Sequence, residues 1–197
     1  MRTSAVLSLL LVAQADPRPW MNPADPPEER ARKLVAAMTT EEKLGLFHGS
    51  CKGYTGNVCG IDRLSVPQQK FEDGPQGFRG SSGTSTAWPA GLPVAASFDT
   101  ALMRRWGAAM GDEFYRKGAN VQLGPGMCLA RVPRNGRNFE YLSGEDPYLG
   151  YHMAKASVTG IQSQGVIANA KHFADNSQES SRRSFTANVN ERTQFEM

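Results

Sequence analysis

The sequence predicts an α/β fold in which short parallel strands alternate with helices. Two observations carry this prediction: helical apolar periodicity recurs along the chain, and helical stretches end at a glycine that precedes a short, apolar run. These runs, residues 120–124 and 166–170, are short and mostly apolar, as strands buried between layers of helices are. In such folds, functional residues gather in the loops that follow the strands.

Length and composition fit one globular domain and exclude several other classes of protein. The 197 residues carry 22 Lys and Arg against 19 Asp and Glu, a net charge of +3, and 40% hydrophobic residues. The sequence has no basic stripe, so no nucleic-acid partner is expected. No apolar run reaches the roughly 20 residues that a membrane span needs, so no membrane segment is expected.

Residues 1–15, MRTSAVLSLLLVAQA, have the three parts of a secretory signal peptide in order. Arg2 gives the positive start, an apolar stretch follows, and Ala13-Gln14-Ala15 matches a signal-peptidase site. We therefore expect a secreted, extracellular protein; an N-terminal hydrophobic helix kept in the fold is the alternative. Residues 16–27 are rich in proline and show little periodicity, which indicates a Pro-rich extension outside the core.

Two helices are predicted before residue 50. Residues 28–38 have apolar residues at helical spacing and follow a Pro-Pro pair that suits a helix start. Thr39 and Glu42 then form a capping box, which predicts a second, short helix through Leu46.

Two longer helices are predicted in the second half of the chain. Asp99 is a good N-cap and Gly118 a good C-terminal stop, and an apolar face repeats every four residues between them. This face comprises Leu102, Trp106, Met110 and Phe114. Asp146 as N-cap and Pro147 at the first helical position begin the next helix, which runs to Gln164.

The three cysteines are Cys51, Cys59 and Cys128. Cys51 and Cys59 flank the Gly-rich loop KGYTGNV and could close it with a disulfide, since a secreted chain permits one; free, buried thiols are the alternative. The sequence has no C-x-x-C spacing and its His residues are scattered, so no structural zinc or other metal site is expected.

Three polar segments follow expected strands. DGPQGFR brings Asp73 and Arg79 together around a Gly-Pro turn, and KHFADNSQE puts Lys171 and His172 at the end of an apolar strand. NGRNFE puts Arg137 in the loop after residues 120–124. Alone, DGPQGFR also fits a surface turn with a local ion pair, and NGRNFE also fits a solvated Arg-rich loop.

Together these groups favour a small polyhydroxylated ligand. Carboxylates accept hydrogen bonds from sugar hydroxyls, and Arg, Lys and protonated His donate them. Phosphate is the rival ligand for a cationic cluster, but the sequence has neither of the Gly-rich loops that bind nucleotides between strand and helix. Trp88 could stack on a sugar face, although most aromatic residues are expected in the core.

Seven segments of the chain match those of a known family, in the family's order. They are MTTEEKLG, DGPQGFR, WPAGLPVAASFD, MGDEFYRKGANVQLGPG, GRNFEYLSGEDPYLG, GIQSQGVIANAKHFADNSQE and NVNERTQFE. This pattern resembles the N-terminal domain of glycoside hydrolase family 3, the β-glucosidase and β-xylosidase family. The family fold is a (β/α)8 or collapsed barrel, so the resemblance implies that residues 28–197 are an incomplete, TIM-like barrel domain. A complete barrel typically takes about 250 residues.

The resemblance implies sugar-binding roles in subsite −1, the pocket for the non-reducing-end sugar. Asp73 looks like the carboxylate that grips the outer hydroxyls, and Arg79 looks like a supporting contact. Arg137 resembles the family's sugar-binding Arg, and Lys171 and His172 resemble the pair that holds sugar hydroxyls. The family reaction is retaining hydrolysis of terminal β-linked sugars by two carboxyl groups, and the resemblance implies no metal or organic cofactor.

The resemblance puts both catalytic carboxyl groups beyond the last residue, because the family's nucleophile and acid/base follow the Lys-His pair in later segments. We therefore expect the N-terminal part of a secreted β-glucosidase-like enzyme, with a substrate sugar and its own C-terminal part as partners, and without activity alone. A truncated, catalytically inactive sugar-binding or interaction protein is the alternative. KHFADNSQE differs from the KHFPGHGD of the family's N-acetylhexosaminidase branch, which counts against that activity. An exposed strand edge predicts that the isolated chain aggregates.

Overall fold

The computed structural model of the protein describes residues 18–80, 83–173 and 175–196. Its helices there are α1 (Pro27–Ala37), α2 (Thr40–Gly45), α3 (Gly91–Ala95), α4 (Thr100–Arg116), α5 (Pro147–Gln162) and α6 (Glu191–Glu196). Its strands there are β1 (Gly56–Val58), β2 (Gln69–Asp73), β3 (Val121–Leu123) and β4 (Ile167–Ala168). None of these helices has the length and apolarity needed to cross a bilayer. The expected signal peptide, residues 1–15, lies outside the described residues.

The described strands form one sheet in the order β1-β2-β3-β4. β2, β3 and β4 run parallel, with Phe71 paired to Val121 and Val121 paired to Ile167. The predicted parallel α/β fold is therefore confirmed. β1 departs from it, because it pairs antiparallel with β2. The sequence did not predict β1, since its residues lie in a Gly-rich loop without an apolar run.

A disulfide closes the loop that contains β1. It joins Cys51 to Cys59, whose Cα atoms are 5.3 Å apart. The disulfide interpretation of this pair therefore holds over the alternative of two free thiols. Cys128 is a free, partly buried thiol.

The predicted capping residues begin α2, α4 and α5, and Gly118 follows α4 as predicted, whereas α5 ends at Gln162, two residues before its predicted end. The Thr39 hydroxyl accepts the Glu42 N–H and the Glu42 carboxylate accepts the Thr39 N–H, which is the predicted capping box. Asp99 and Asp146 accept backbone N–H donors from the first turns of α4 and α5. Gly118 follows α4 with φ +82°, a left-handed conformation that favours glycine at a helix end.

Helices α4 and α5 pack closely against each other. A Cβ at Gly107 would lie 2.5 Å from the carbonyl oxygen of Ser157, and one at Gly160 would meet the carbonyl oxygen of Arg104. The two glycines therefore let the backbones approach. The main core cluster lies between α3, α4 and α5, and consists of Val94, Ala95, Met103, Trp106, Met110, Leu142 and Met153.

Leu102 is the exception on the predicted apolar face of α4. It is 36% exposed, whereas Met103 is fully buried. One turn of an α-helix takes 3.6 residues, so residues four apart are rotated about 40° from each other around the helix axis. Leu102 is three such intervals from Phe114, and the accumulated rotation turns Leu102 toward solvent.

A second cluster anchors the loop that follows β2. It consists of Phe78, Phe114, Ala119, Ile161 and Val166. The rings of Phe78 and Phe114 meet edge to face with their centroids 5.3 Å apart. The segment DGPQGFR is therefore fixed to α4 through its phenylalanine.

The described part of the Pro-rich extension, residues 18–26, contacts the domain. Trp20 packs against the cluster of Met38, Ile61 and Leu64. Arg30 Nε donates a hydrogen bond of 2.8 Å to the Trp20 carbonyl oxygen. The extension is thus tied to α1, although most of its residues are exposed.

Strand β4 is an edge strand with an exposed apolar residue. It pairs with β3 on one side, and Ile167 is 53% exposed. Because an apolar strand edge is a template for pairing with another chain, we expect Ile167→Lys to raise the monomeric fraction of the purified chain about twofold or more. Size-exclusion chromatography with light scattering measures this fraction.

Val35→Lys is the matched control, since Val35 on α1 is 49% exposed. We expect this variant to self-associate as the unchanged chain does. If the monomeric fraction rose equally in the two variants, the added charge, rather than the strand edge, would control self-association.

Candidate active site

The three predicted polar segments converge at the carboxyl end of the parallel strands. Asp73 ends β2, Lys171 and His172 follow β4, and Arg137 lies in the long loop after β3. Together with Arg79, these side chains line a cleft of about 580 Å³. The structure therefore brings all five residues singled out in the sequence into one place.

Asp73 pairs with two cations. Lys171 Nζ lies 2.6 Å from Oδ1 of Asp73, and Arg79 Nη1 lies 2.7 Å from Oδ2. The side chains of Lys171 and Asp73 are 16% and 21% exposed, whereas that of Arg79 is 72% exposed. The Lys171 pair is therefore shielded from water, and the Arg79 pair is largely screened by it.

The turn that presents Asp73 is closed by its own backbone. The Arg79 N–H donates to the Asp73 carbonyl oxygen over 2.7 Å. Gly77 has φ +136°, and a Cβ there would lie 2.7 Å from the carbonyl oxygen of Thr86, so the turn requires glycine. Both interpretations of DGPQGFR thus hold, since the segment is a turn with a local ion pair and also lines the cleft.

Glu72 is a buried carboxylate beside Asp73 that the sequence did not single out. Its Oε1 accepts the Asp73 N–H over 2.9 Å and the Thr55 hydroxyl over 2.5 Å. Thr55 belongs to the disulfide-closed loop and also lines the cleft. The loop between Cys51 and Cys59 therefore supports the backbone of Asp73 through one side chain.

Backbone pairing determines where Lys171 lies. Its N–H donates to the Pro125 carbonyl oxygen over 3.0 Å, and its carbonyl oxygen accepts the Met127 N–H over 2.8 Å. This bridge continues the pairing of β3 with β4 beyond the strand ends. From this position the Lys171 ammonium reaches across β3 to Asp73.

Arg137 is held at three nitrogens of its guanidinium. Nε pairs with the buried carboxylate of Glu140, Nη1 lies 3.4 Å from Oε2 of Glu179, and Nη2 lies 3.4 Å from Nε2 of His172. Burial alone would lower the pKa of Arg137, but the hydrogen bond and charge of Glu140 outweigh it, with smaller contributions from Tyr141 and Glu179, and raise that pKa. Arg137 is therefore a permanent cation of the cleft.

The loop around Arg137 is built by asparagine side chains. Asn135 is buried, accepts the Arg137 N–H over 3.2 Å and donates to Oδ1 of Asn138 over 2.9 Å. Asn138 Nδ2 donates to the Val132 carbonyl oxygen over 2.9 Å. These bonds make an ordered turn, which contradicts the alternative of a merely solvated loop.

His172 is hydrogen-bonded on both sides of its ring. Its Nδ1 lies 3.0 Å from the Tyr141 hydroxyl oxygen and 3.1 Å from Nδ2 of Asn176, and its Nε2 faces Arg137. Its backbone N–H donates to Sγ of Cys128 over 3.2 Å. The polar partners that a Lys-His pair at a strand end needs are therefore present.

The surroundings of His172 lower the pKa of its imidazole. Burial lowers the pKa of its imidazole, the charges of Arg137 and Lys171 lower that pKa further, and Glu140 and Asp73 only partly oppose them. The site therefore favours a neutral histidine over the protonated, donating form considered from the sequence, because two neighbouring cations disfavour a third.

Tyr141 was missed in the sequence. It is fully buried, and its ring meets that of His172 edge to face at 5.8 Å. Burial and the neighbouring Cys128 raise the pKa of its hydroxyl to about 12, against the opposing charge of Arg137, so the hydroxyl stays protonated. Tyr141 stands between Glu140 and Leu142, a context that suggests no more than an ordinary core aromatic, and no local signal marks its hydroxyl.

Trp88 is a half-buried aromatic at the edge of the core. It packs against the main core cluster, and its Nε1 donates to Oε2 of Glu113 over 3.0 Å. The interpretation of this residue as a core aromatic is therefore supported over that of a sugar-stacking platform.

The cleft is suited to a ligand that carries several hydroxyls. It presents donors from Lys171, Arg137 and Arg79 and acceptors from Asp73 and His172. In the part of the chain that the structure describes, no three His, Cys, Asp or Glu side chains are arranged to hold a metal ion.

Comparison with known proteins identifies relatives over most of the chain. A family model, the glycosyl hydrolase family 3 N-terminal domain, matches residues 60–196. The chain is 40% identical over 173 residues to thermostable β-glucosidase B of Acetivibrio thermocellus, and 39% identical over 191 residues to probable β-glucosidase F of Aspergillus fumigatus. These matches cover 82% and 90% of this chain but 22% and 21% of those proteins. The chain thus spans about a fifth of the length of these relatives.

Solved structures share its fold. The β-glucosidase DesR from Streptomyces venezuelae, solved in complex with D-glucose, matches with a TM-score of 0.76 and 40% identity, over 82% of this chain and 21% of that chain. β-Glucosidase 3B from Thermotoga neapolitana, in complex with α-D-glucose, matches with a TM-score of 0.68 and 35% identity, over 76% and 24%. These likenesses confirm the predicted fold class, a partial TIM-like barrel.

Replacing Lys171 by Met leaves the Asp73 carboxylate largely buried with only an exposed partner. We expect the free energy of unfolding to fall by about 2 kcal/mol, between the roughly 0–1 kcal/mol of surface pairs and the roughly 3–5 kcal/mol of a broken buried pair. Urea unfolding followed by tryptophan fluorescence measures this loss.

Arg116→Met is the control for that variant. It breaks the pair of Arg116 with Asp112, in which both side chains are well exposed, and should cost about 0.5 kcal/mol or less. If Lys171→Met and Arg116→Met lowered the free energy of unfolding equally, the pair of Lys171 with Asp73 would be no better shielded from water than the exposed pair.

The lowered pKa of His172 makes stability depend on pH. The unfolded imidazole takes up its proton near the ordinary pKa of 6.5, whereas the folded one resists protonation to lower pH. This contribution to stability is therefore complete above about pH 6.5 and is lost as the pH falls toward the folded pKa. Between about pH 7.5 and about pH 5, the free energy of unfolding should fall less steeply with pH in His172→Gln than in the unchanged chain. Urea unfolding at each pH measures it. If the free energy of unfolding depended on pH equally in both chains, His172 would not cause this dependence.

Proposed function

The chain belongs to glycosyl hydrolase family 3, and on this premise we propose that it is the N-terminal part of a retaining β-glycosidase of the β-glucosidase type. Such an enzyme hydrolyses terminal, non-reducing β-linked sugars. The observation that carries the proposal is the convergence of Asp73, Arg79, Arg137, Lys171 and His172 in one cleft at the carboxyl end of the strands. In this proposal, these five side chains form subsite −1.

Each group has a defined part in holding the sugar. Asp73 accepts hydrogen bonds from sugar hydroxyls, and its ion pairs with Lys171 and Arg79 keep the carboxylate in place. Arg137 donates from a guanidinium that Glu140 orients. Because the two shielded cations, Lys171 and Arg137, are each paired with a carboxylate, a neutral sugar binds without supplying a counter-charge.

The carboxylates of the cleft favour binding over catalysis by this chain alone. Retaining hydrolysis needs a nucleophilic carboxylate and a protonated acid roughly 5–5.5 Å apart. Among the described residues of the cleft, the carboxylates of Asp73, Glu140 and Glu179 are each engaged by Lys or Arg. Each of these carboxylates is committed to an ion pair, so in this proposal the nucleophile and the acid/base belong to a later part of the full-length enzyme.

Secretion is part of the proposal. It is supported by the signal-peptide pattern of residues 1–15. The disulfide between Cys51 and Cys59 also supports it, because disulfides persist mainly in oxidising compartments.

Binding and turnover by residues 16–197 test the proposal separately. We expect no hydrolysis of a chromogenic β-glucoside above a heat-denatured control, and weak glucose binding with a Kd of about 1 mM or more, because a partial site supplies only part of the contacts. Asp73→Asn should abolish that binding, whereas Asp112→Asn on the exposed face of α4 should not. Enzyme-like turnover would refute the inactivity of the chain, and absent glucose binding would refute the subsite.

The transcript beyond the codon for Met197 discriminates the two hypotheses made from the sequence. An open frame that continues to an Asp at a later strand end supports the enzyme. A stop codon at that point supports the alternative, a sugar-binding protein without catalysis.

A further inference from the structure

One placement of protons satisfies the contacts of the His172 ring with both Arg137 and Tyr141. Arg137 has no lone pair and can only donate, so Nε2 of His172, 3.4 Å from Nη2 of Arg137, accepts. A neutral imidazole has one donor and one acceptor, so Nδ1 carries the proton and donates to the Tyr141 hydroxyl oxygen over 3.0 Å. The ring is therefore the Nδ1-protonated tautomer.

Asn176 competes for the same nitrogen. Its Nδ2 lies 3.1 Å from Nδ1 of His172 and 3.1 Å from the Tyr141 hydroxyl oxygen. If the amide donated to Nδ1, the imidazole proton would move to Nε2 and point at Arg137, which is another donor. The Tyr141 oxygen prevents this, because its two lone pairs accept both the imidazole N–H and the amide N–H.

The hydroxyl proton of Tyr141 also has a partner. It points to the Asn176 carbonyl oxygen, 3.4 Å away. The buried hydroxyl thus accepts two hydrogen bonds and donates one, which uses its full capacity. A phenylalanine in its place would fill the same core space but leave the imidazole N–H without an acceptor.

We propose that Tyr141 is a positioning residue that holds His172 in the Nδ1-protonated tautomer, so that Nε2 is the hydrogen-bond acceptor on the Arg137 side of the cleft. This inference rests on the proposed sugar-binding function. Nε2 has a single lone pair, so a ligand hydroxyl that donates to it replaces the long, 3.4 Å contact with Arg137, and the freed Arg137 N–H donates to the oxygen of the same hydroxyl. A hydroxyl does both, whereas an ether oxygen or a fluorine only accepts. Tyr141 therefore sets the preference of the site for free hydroxyls.

Nitrogen-15 NMR of the histidine side chains in residues 16–197 reports the tautomer directly and needs no ligand. The unchanged chain should show His172 protonated at Nδ1. In Tyr141→Phe we expect the proton on Nε2, with Asn176 donating to Nδ1. In Asn176→Ala, which keeps the tyrosine, we expect the proton to stay on Nδ1. A proton on Nε2 of the unchanged chain, an unaltered tautomer in Tyr141→Phe, or a changed one in Asn176→Ala overturns the inference.

Tyr148→Phe is the matched control. The rings of Tyr148 and His152 meet edge to face at 4.6 Å, and no hydrogen bond joins them among the described contacts. Loss of this hydroxyl should leave the tautomers of both His152 and His172 unchanged. A tautomer change at His172 in this variant would show that the ring responds to remote tyrosine substitutions in general and would overturn the inference.

A panel of glucose and its monodeoxyfluoro derivatives tests the preference for hydroxyls. For the unchanged chain, at least one derivative should bind about tenfold more weakly than glucose, the effect of one lost hydrogen bond to a buried acceptor. In Tyr141→Phe that penalty should shrink to about twofold. An undiminished penalty overturns the specificity role of Tyr141. If the unchanged chain binds no glucose, the proposed function fails, while the tautomer still decides whether Tyr141 positions His172.

Discussion

The ion pair between Lys171 and Asp73 is the interaction on which the site depends. It joins the ends of β2 and β4 across β3 over 2.6 Å, between residues 98 positions apart in the chain. It forms only when three parallel strands end at the same edge of the sheet. A charge left alone in such a shielded place would be costly, so each partner restricts where the other can lie. Arg79, Arg137 and His172 are then arranged around this pair.

Pairing of charges also explains why the cleft suits a neutral ligand better than a phosphate. The cations Lys171 and Arg137 are matched by the carboxylates of Asp73 and Glu140. A phosphate would have to displace or repel these carboxylates. A sugar hydroxyl adds hydrogen bonds and leaves the pairs intact. The charges of Arg137 and Lys171 also lower the pKa of His172 and so favour its neutral form.

Features with a local cause could be predicted from the sequence, and features with a tertiary cause could not. The capping box of Thr39 and the helix stop at Gly118 depend on residues within one turn, and both were predicted. The five residues that share the cleft were singled out because each stands in a distinctive segment after an expected strand. Thr55 and Tyr141 gave no such signal, since the hydroxyls act through contacts with Glu72 and His172 that only the fold creates. The antiparallel β1 was missed for the same reason, as it owes its strand form to β2 rather than to its own composition.

Under the proposed function, the strands that complete the sheet also complete the catalytic site. The edge strand β4 leaves Ile167 exposed, and Phe173, just beyond it, is fully exposed, so the apolar edge and the open side of the cleft lie together. A further strand paired with β4 would cover these side chains and bring its own carboxyl end to the cleft, since parallel strands end at the same edge. The groups that hold the sugar thus come from the early strands, and the groups that react with it come from later ones. The apolar edge that is expected to make the isolated chain aggregate is then the surface on which the remainder of the catalytic site is built.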